Sequence, residues 1–194
     1  MRTRIGLFRG INVGGHNRVP MKDLVTLLCG LGLQEVRTYI QSGNVVFRGS
    51  GTAAALIEDI GAAVSRRFGF RPFLVLLNAK QLALAAAANP FPGAQARPQS
   101  LHLWFLERAP GSASLKLLET LRAASEKSAL RGKVLYLHAP QGIGRSKFAA
   151  RAEGLLGVAG TARNWRTVRQ LLAMARTPTR SRALFRRVRR GGVV

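Results

Sequence analysis

Between Thr3 and Leu77 the apolar residues change period in a set order: strand, helix, strand, strand, helix, strand. Each short strand has one apolar face to bury, so a chain written this way must lay its helices over a sheet. Thr3–Phe8 (TRIGLF) reads as the first strand. Pro20 opens the run MKDLVTLLCGL, where Met21, Leu24, Val25, Leu28 and Leu31 recur at helical spacing and Gly30 and Gly32 close the helix. Val36–Gln41 (VRTYIQ) and Asn44–Arg48 (NVVFR) flank Ser42-Gly43 as a hairpin. Thr52–Phe68 is a helix with Leu56, Ile60, Ala63 and Val64 on one face, and Phe73–Leu77 (FLVLL) is a continuous apolar strand.

Ala79–Ala88 is an alanine-rich helix, and the prolines of NPFPGAQARPQ break the pattern after it. Beyond that stretch the same order returns. Leu101–Leu106 (LHLWFL) is a strand, and Ser114–Ser125 is a helix carrying Leu115, Leu118 and Leu121. Ser128–Leu130 and Lys133–His138 flank Arg131-Gly132 as a second hairpin. Lys147–Leu156 is a helix, Thr161–Arg163 a short fourth strand, and Asn164 caps a last helix, Trp165–Arg176. The order βαββαβ is that of the ferredoxin-like plait. The expected fold class is therefore α+β: two tandem ferredoxin-like α/β-plait domains with an extra C-terminal helix. The expected boundaries are 1–78 for the first plait, 79–98 for a helix and Pro-rich linker, 99–176 for the second plait, and 177–194 for a disordered basic tail.

Charge bears most directly on partners. Lys and Arg total 31 against 8 Asp and Glu, a net +23, which favours polyanions through long-range attraction and counterion release. Twenty-five of the 31 cations are arginine, a skew that genomic codon bias also produces, although such bias leaves the shortage of acids unexplained. Those few acids fall mostly within or beside helices, and none pairs at a strand end, which disfavours two-metal and paired-carboxylate mechanisms. His16, His102 and His138 stand far apart without metal-ligand spacing, so no metal is expected. Cys29, the lone cysteine, reads as a packing residue on the buried face of its helix. No apolar run reaches bilayer length and the N-terminus lacks a leader pattern, so the expected location is the cytoplasm.

Two polar stretches stand out. The first is RGINVGGHN (Arg9–Asn17) together with the QSGN of the hairpin: Gly14 and Gly15 permit close backbone approach, and Arg9, Asn12, His16, Asn17, Gln41, Ser42 and Asn44 supply polar groups. It is neither a Walker A loop nor a dinucleotide fingerprint. His16 is a candidate acid or base, with a solvated bystander as the alternative. The second is QGIGRSK, where Arg145, Ser146 and Lys147 open a helix whose free N–H groups suit an anion, an ordinary serine cap being the alternative. A third stretch, ARNWRTV, adds Arg163 and Asn164, and Trp165 reads as core.

The segments LFRGINVGGHNRVPMKDL, TYIQSGNVVF, GIGRSKF and TARNWRTV resemble the signatures of the bacterial domain-of-unknown-function 1697 family, from about Arg4 to Met174. The resemblance implies two α/β plaits in tandem and carries no reaction, cofactor or assigned catalytic residue. The tail after Thr177, with six arginines and no acid, falls outside the family pattern.

Three functional expectations follow. One is a small anionic, phosphate- or nucleotide-like ligand held by RGINVGG, QSGN and GRSK, with Arg9 and Lys147 as charge clamps. The second is nucleic-acid binding through net charge and the tail, although the RNA-binding aromatic pattern is missing. The third is an interaction module whose glycine motifs only shape the junction between domains. The composite site requires that the motifs converge.

Overall fold

A computed structural model describes residues 1–177; the segment 178–194, on which the expectation of a disordered tail falls, lies outside the described residues. The first half runs β1 (Arg2–Arg9), α1 (Met21–Gly30), β2 (Gln34–Tyr39), β3 (Asn44–Gly49), α2 (Ala53–Phe68) and β4 (Phe73–Asn78). Its strands form an antiparallel sheet in the order β2-β3-β1-β4. After α3 (Ala79–Ala87) and a 3-10 turn (Pro92–Ala96) come β5 (Leu101–Leu106), α4 (Ser112–Glu119), β6 (Lys127–Arg131) and β7 (Val134–His138). A second 3-10 turn (Ile143–Arg145), α5 (Lys147–Leu156), β8 (Gly160–Asn164) and α6 (Trp165–Arg176) complete the described chain. The second sheet has the order β6-β7-β5-β8, also antiparallel. The described residues thus form an α+β fold of two four-stranded antiparallel sheets and six helices.

Strand alternation divides the apolar residues among three cores. Phe8, Val45, Phe47, Leu74 and Leu76 point from the first sheet to α1 and α2, where they meet Leu24, Leu28, Leu56, Ile60 and Val64. Trp104, Leu106, Leu135 and Leu137 point from the second sheet to α4 and α5. The other faces turn toward one shared core: Ile5, Leu7 and Val46 from one sheet, Leu101, Leu103, Phe105 and Tyr136 from the other. α6 adds Trp165, Val168 and Leu171 to it, and α3 adds Leu82 and Ala85. Each sheet is therefore covered on both sides, and Trp165 is a core residue, 4% exposed.

Leu82, Ala85 and Ala94, from the stretch 79–98, enter the shared core. Three sequence expectations are corrected. Cys29 is exposed: Leu24 and Leu28 face inward, and the next residue lies about 100° further round the helix. Helix α4 spans Ser112–Glu119 and not Ser114–Ser125, because the chain turns so that the Glu126 carboxylate accepts the Ala123 N–H (3.0 Å). The first hairpin pairs Tyr39 with Asn44, so its turn occupies residues 40–43, with Ile40 left-handed at φ 50°.

His102 sits on β5 between Leu137 of β7 and Asn164 of β8, 8% exposed, with its Nδ1 buried and unbonded. Burial lowers its pKa from 6.5 to about 4, the nearby Ser100 backbone opposing the shift. The folded chain thus refuses a proton that the unfolded chain accepts, so stability is full above about pH 6.5 and falls as pH drops toward about 4. Urea unfolding across this window should show a loss of about 3 kcal/mol. His102→Leu should flatten that part of the profile; an unchanged slope in the variant would assign the acid sensitivity elsewhere.

Candidate functional site

The loop after β1 explains its own composition. Gly10, Asn12, Gly14, Gly15 and Asn17 all have positive φ, between 50° and 80°. Side chains with a Cβ avoid this region, glycine enters it freely, and asparagine tolerates it better than most residues. Every glycine and asparagine of RGINVGGHN thus sits at a left-handed position of the backbone, which accounts for the composition of the loop. The loop is also tied down. Asn12 Nδ2 donates to the carbonyls of Val19 (2.8 Å) and Gln41 (2.9 Å), and Asn12 Oδ1 accepts from the Val19 N–H (2.8 Å). Asn17 Nδ2 donates to the Gly10 carbonyl at 3.0 Å, and Ile11 plugs the base of the loop at 1% exposure.

The hairpin turn is fitted against this base. The Phe8 N–H donates to the Gly43 carbonyl at 2.8 Å. A Cβ at Gly43 would lie 2.7 Å from the Phe8 Cβ and 2.8 Å from Ile11, so only glycine fits. Asn44, fully buried, donates through Nδ2 to the Tyr39 carbonyl (3.2 Å) and to Ser42 Oγ (3.1 Å). Its Oδ1 receives Arg163 Nε at 2.5 Å.

Arg163 reaches this point from β8, on the other sheet. Its Nη2 donates to the Phe8 carbonyl (2.6 Å) and more weakly to those of Ser42 (3.3 Å) and Gly43 (3.5 Å). Nη1 donates to Thr161 Oγ1 and to the Ala162 carbonyl, each at 2.7 Å. The guanidinium is surrounded by neutral oxygens. Burial lowers its pKa to about 10, which leaves it charged at neutral pH. The motifs RGIN, QSGN and RNW thus meet at one junction, with Arg163 as the link.

The GRSK stretch stands differently. Ser146 is 5% exposed and caps α5, accepting the Ala149 N–H at 3.0 Å. Asn164 caps α6 in the same way, accepting from Thr167 at 2.9 Å. Arg145 and Lys147 are exposed. Among the described residues no hydrogen bond or ion pair joins Gln141–Lys147 to the loop. The connection runs through α5 itself, where Glu153 pairs with Arg9. At 1.5 Å rise per residue, Lys147 lies about 9 Å along the helix axis from Glu153.

The candidate residues therefore separate by whether their side chains are engaged within the protein. Asn12, Asn17, Ser42, Asn44, Ser146, Arg163 and Asn164 have side-chain partners within the protein, and Arg9 is ion-paired. His16, Gln41, Arg145 and Lys147 are exposed, as are Gly14 and Gly15 at the loop tip. Sequence reasoning missed Glu153, although in a chain with eight acids each carboxylate carries weight: five of the eight pair with arginine. It also missed Arg18, an exposed cation at the end of the loop, and Thr161, which completes the Arg163 shell.

Replacing Arg163 by Met keeps its apolar bulk but strands the Phe8 carbonyl and Asn44 Oδ1. Each buried acceptor left unpaired costs about 1–3 kcal/mol, so R163M should destabilise the protein by at least about 2 kcal/mol in denaturant titration. An effect within about 0.5 kcal/mol of wild type would show that water replaces the guanidinium without loss.

No curated protein matches the chain. The conserved bacterial protein SP0830 from Streptococcus pneumoniae has a solved structure that superposes with a TM-score of 0.68 at 23% identity, over 89% of this chain and 98% of that one. That likeness establishes a shared fold. The family model described as "Protein of unknown function (DUF1697)" matches residues 1–136, and with most of its length so matched the chain belongs to the DUF1697 family.

Proposed function

We propose that this chain is a binding protein for a small anionic ligand, phosphate- or nucleotide-like, at the rim of the junction between its two sheets. We infer also that each half is a ferredoxin-like plait. The βαββαβ element order and the matching strand orders β2-β3-β1-β4 and β6-β7-β5-β8 support that assignment.

The observation that carries the binding proposal is the fixed loop. Asn12, Asn17 and Arg163 hold residues 10–20 and the neighbouring turn in shape through hydrogen bonds within the chain. A loop ordered beforehand does not lose its freedom again on binding. The side chains left outside this internal network, His16, Arg18, Gln41, Arg145 and Lys147, are cationic or neutral, and none is acidic. The proposed role thus passes from the internally bonded asparagines and Arg163 to this exposed rim, with the bonded residues as its frame. His16 is the acid–base candidate of the rim, and no reaction is assigned to it.

Thermal denaturation with pyrophosphate and with nucleotides tests this reading. A ligand at about a hundredfold its Kd should stabilise the fold by about 2.7 kcal/mol. H16A and K147A should each reduce that stabilisation while the unliganded melting temperature holds. No stabilisation by any of these anions, or full stabilisation in both variants, refutes the proposal.

A second reading, nucleic-acid binding, has its own observation. Residues 1–177 carry 25 of the 31 cations and all eight acids, a net +17, and Arg166, Arg169 and Arg176 are exposed on α6. Base stacking on a sheet face, the usual route for plaits, is closed because those faces form the shared core. Binding would be to the phosphate backbone. Anisotropy titration of single-stranded RNA should then show affinity falling steeply with salt, and R166A and R169A should each lower the log–log slope by about one. A salt-independent affinity, or no binding at about 50 mM salt, refutes it.

A further inference from the structure

A cleft of about 330 Å³ opens between the two sheets, beside α3 and the β6–β7 hairpin. It lies away from the loop. Phe105 and Leu106, which line it, pair with Thr161 and Gly160 at the start of β8, whereas Arg163 pairs with Leu103 further along. The volume is at the lower bound for small-molecule sites, which favour junctions of this kind.

The walls are apolar and come from both halves. Val75 and Leu77 of β4 face Phe105 and Val134 of the second sheet. Leu84 of α3 stands at the mouth with 59% of its surface exposed, which is unusual for leucine on a helix that otherwise buries Leu82 and Ala85. The polar groups of the wall are few and mostly engaged. The Tyr136 hydroxyl donates to the Ala85 carbonyl at 2.6 Å. Gln81 Oε1 accepts the Asn78 N–H at 2.8 Å as part of the α3 capping box.

Two cations remain, Arg131 and Lys133, on either side of Gly132 in the hairpin turn. Lys133 Nζ donates to the Glu107 carbonyl at 2.9 Å, which uses one of its three N–H groups. Among the described residues Arg131 makes only a long contact, 3.5 Å, with the Leu130 carbonyl. Among the described residues neither has a carboxylate partner, and no acidic side chain lines the cleft. Arg131 is near enough to Tyr136 for its charge to oppose the rise that burial imposes on the phenol.

An apolar slot with two cations at one side and no acid fits one chemistry. We propose that this cleft binds an amphipathic monocarboxylate, a short alkyl or aryl body ending in a carboxylate. The carboxylate meets Arg131 and Lys133, and the body lies along Leu77, Phe105 and Leu84. This inference stands apart from the rim proposal and shares no residue with it.

Titration calorimetry of the full chain with n-octanoate and n-octanol tests it. Octanoate should bind saturably and more tightly than octanol, whose hydroxyl carries no charge. The double variant R131Q/K133Q should weaken octanoate by about tenfold and leave octanol unaffected. Leu84→Glu, at an exposed position where the fold tolerates it, should also weaken octanoate by placing a like charge at the mouth. The rim variant K147A should bind octanoate as wild type does, which separates this site from the loop. Equal binding of the two probes, undiminished octanoate binding by R131Q/K133Q, or no saturable binding up to about 10 mM would overturn the proposal.

Discussion

One buried cation holds the junction of this molecule together. Arg163 leaves β8, crosses to the other sheet, and places its guanidinium among four backbone carbonyl oxygens, the hydroxyl of Thr161 and the amide oxygen of Asn44. A lysine carries a point charge and three donors, whereas the planar fork of arginine presents five N–H groups in fixed directions, which a shell of separate oxygens requires. The neutrality of that shell matters as well. A buried acid would neutralise the charge but would also leave the loop and turn carbonyls without their donor. The carbonyls of Phe8, Ser42 and Gly43, the three points where strand, turn and loop meet, all take the same side chain.

The sheets explain why function is sought at the ends of the strands. A lone sheet backed by helices on one side keeps its other face free for ligand; here both such faces lie in a single core with α3 and α6. Among the places that remain open are the rim at the end of β1, the exposed face of α6, and the cleft on the other side of the junction. The Arg9–Glu153 pair spans the two halves at the rim. Both members are more than two-fifths exposed, so it registers the halves more than it stabilises them.

Much of the fold was legible in the sequence because period is a local property. β5, α5 and α6 have the expected ends to the residue, as apolar runs bounded by Gly, Ser and Asn signals. The failures are tertiary. Nothing in AKQLALAAA shows that this helix is wedged between sheets, since Leu82 and Ala85 acquire that role only from the opposite face. Cys29 has the same apolar character whether a helix turns it in or out. The polar residues of the junction were legible as a set, but the part each plays in the fold was not. Asparagine and glycine look alike as ligand donors and as left-handed backbone, and only the φ values and the Asn12 bonds separate the two. Arg163 read as one cation among many because burial across a junction leaves no periodic mark.

The segment between the halves has a consequence for anyone who would take the protein apart. The Pro-rich stretch after α3 is where the chain would ordinarily be cut, at a break in pattern between two similar units. Yet Leu82 and Ala85 just before that stretch and Ala94 within it lie inside the shared core, to which both sheets contribute a face. Separated fragments would therefore present matching sticky surfaces, soluble only when mixed and prone to exchange partners between copies. An intact backbone keeps the right partner in reach, so covalent continuity protects this fold from swapping as well as setting its order.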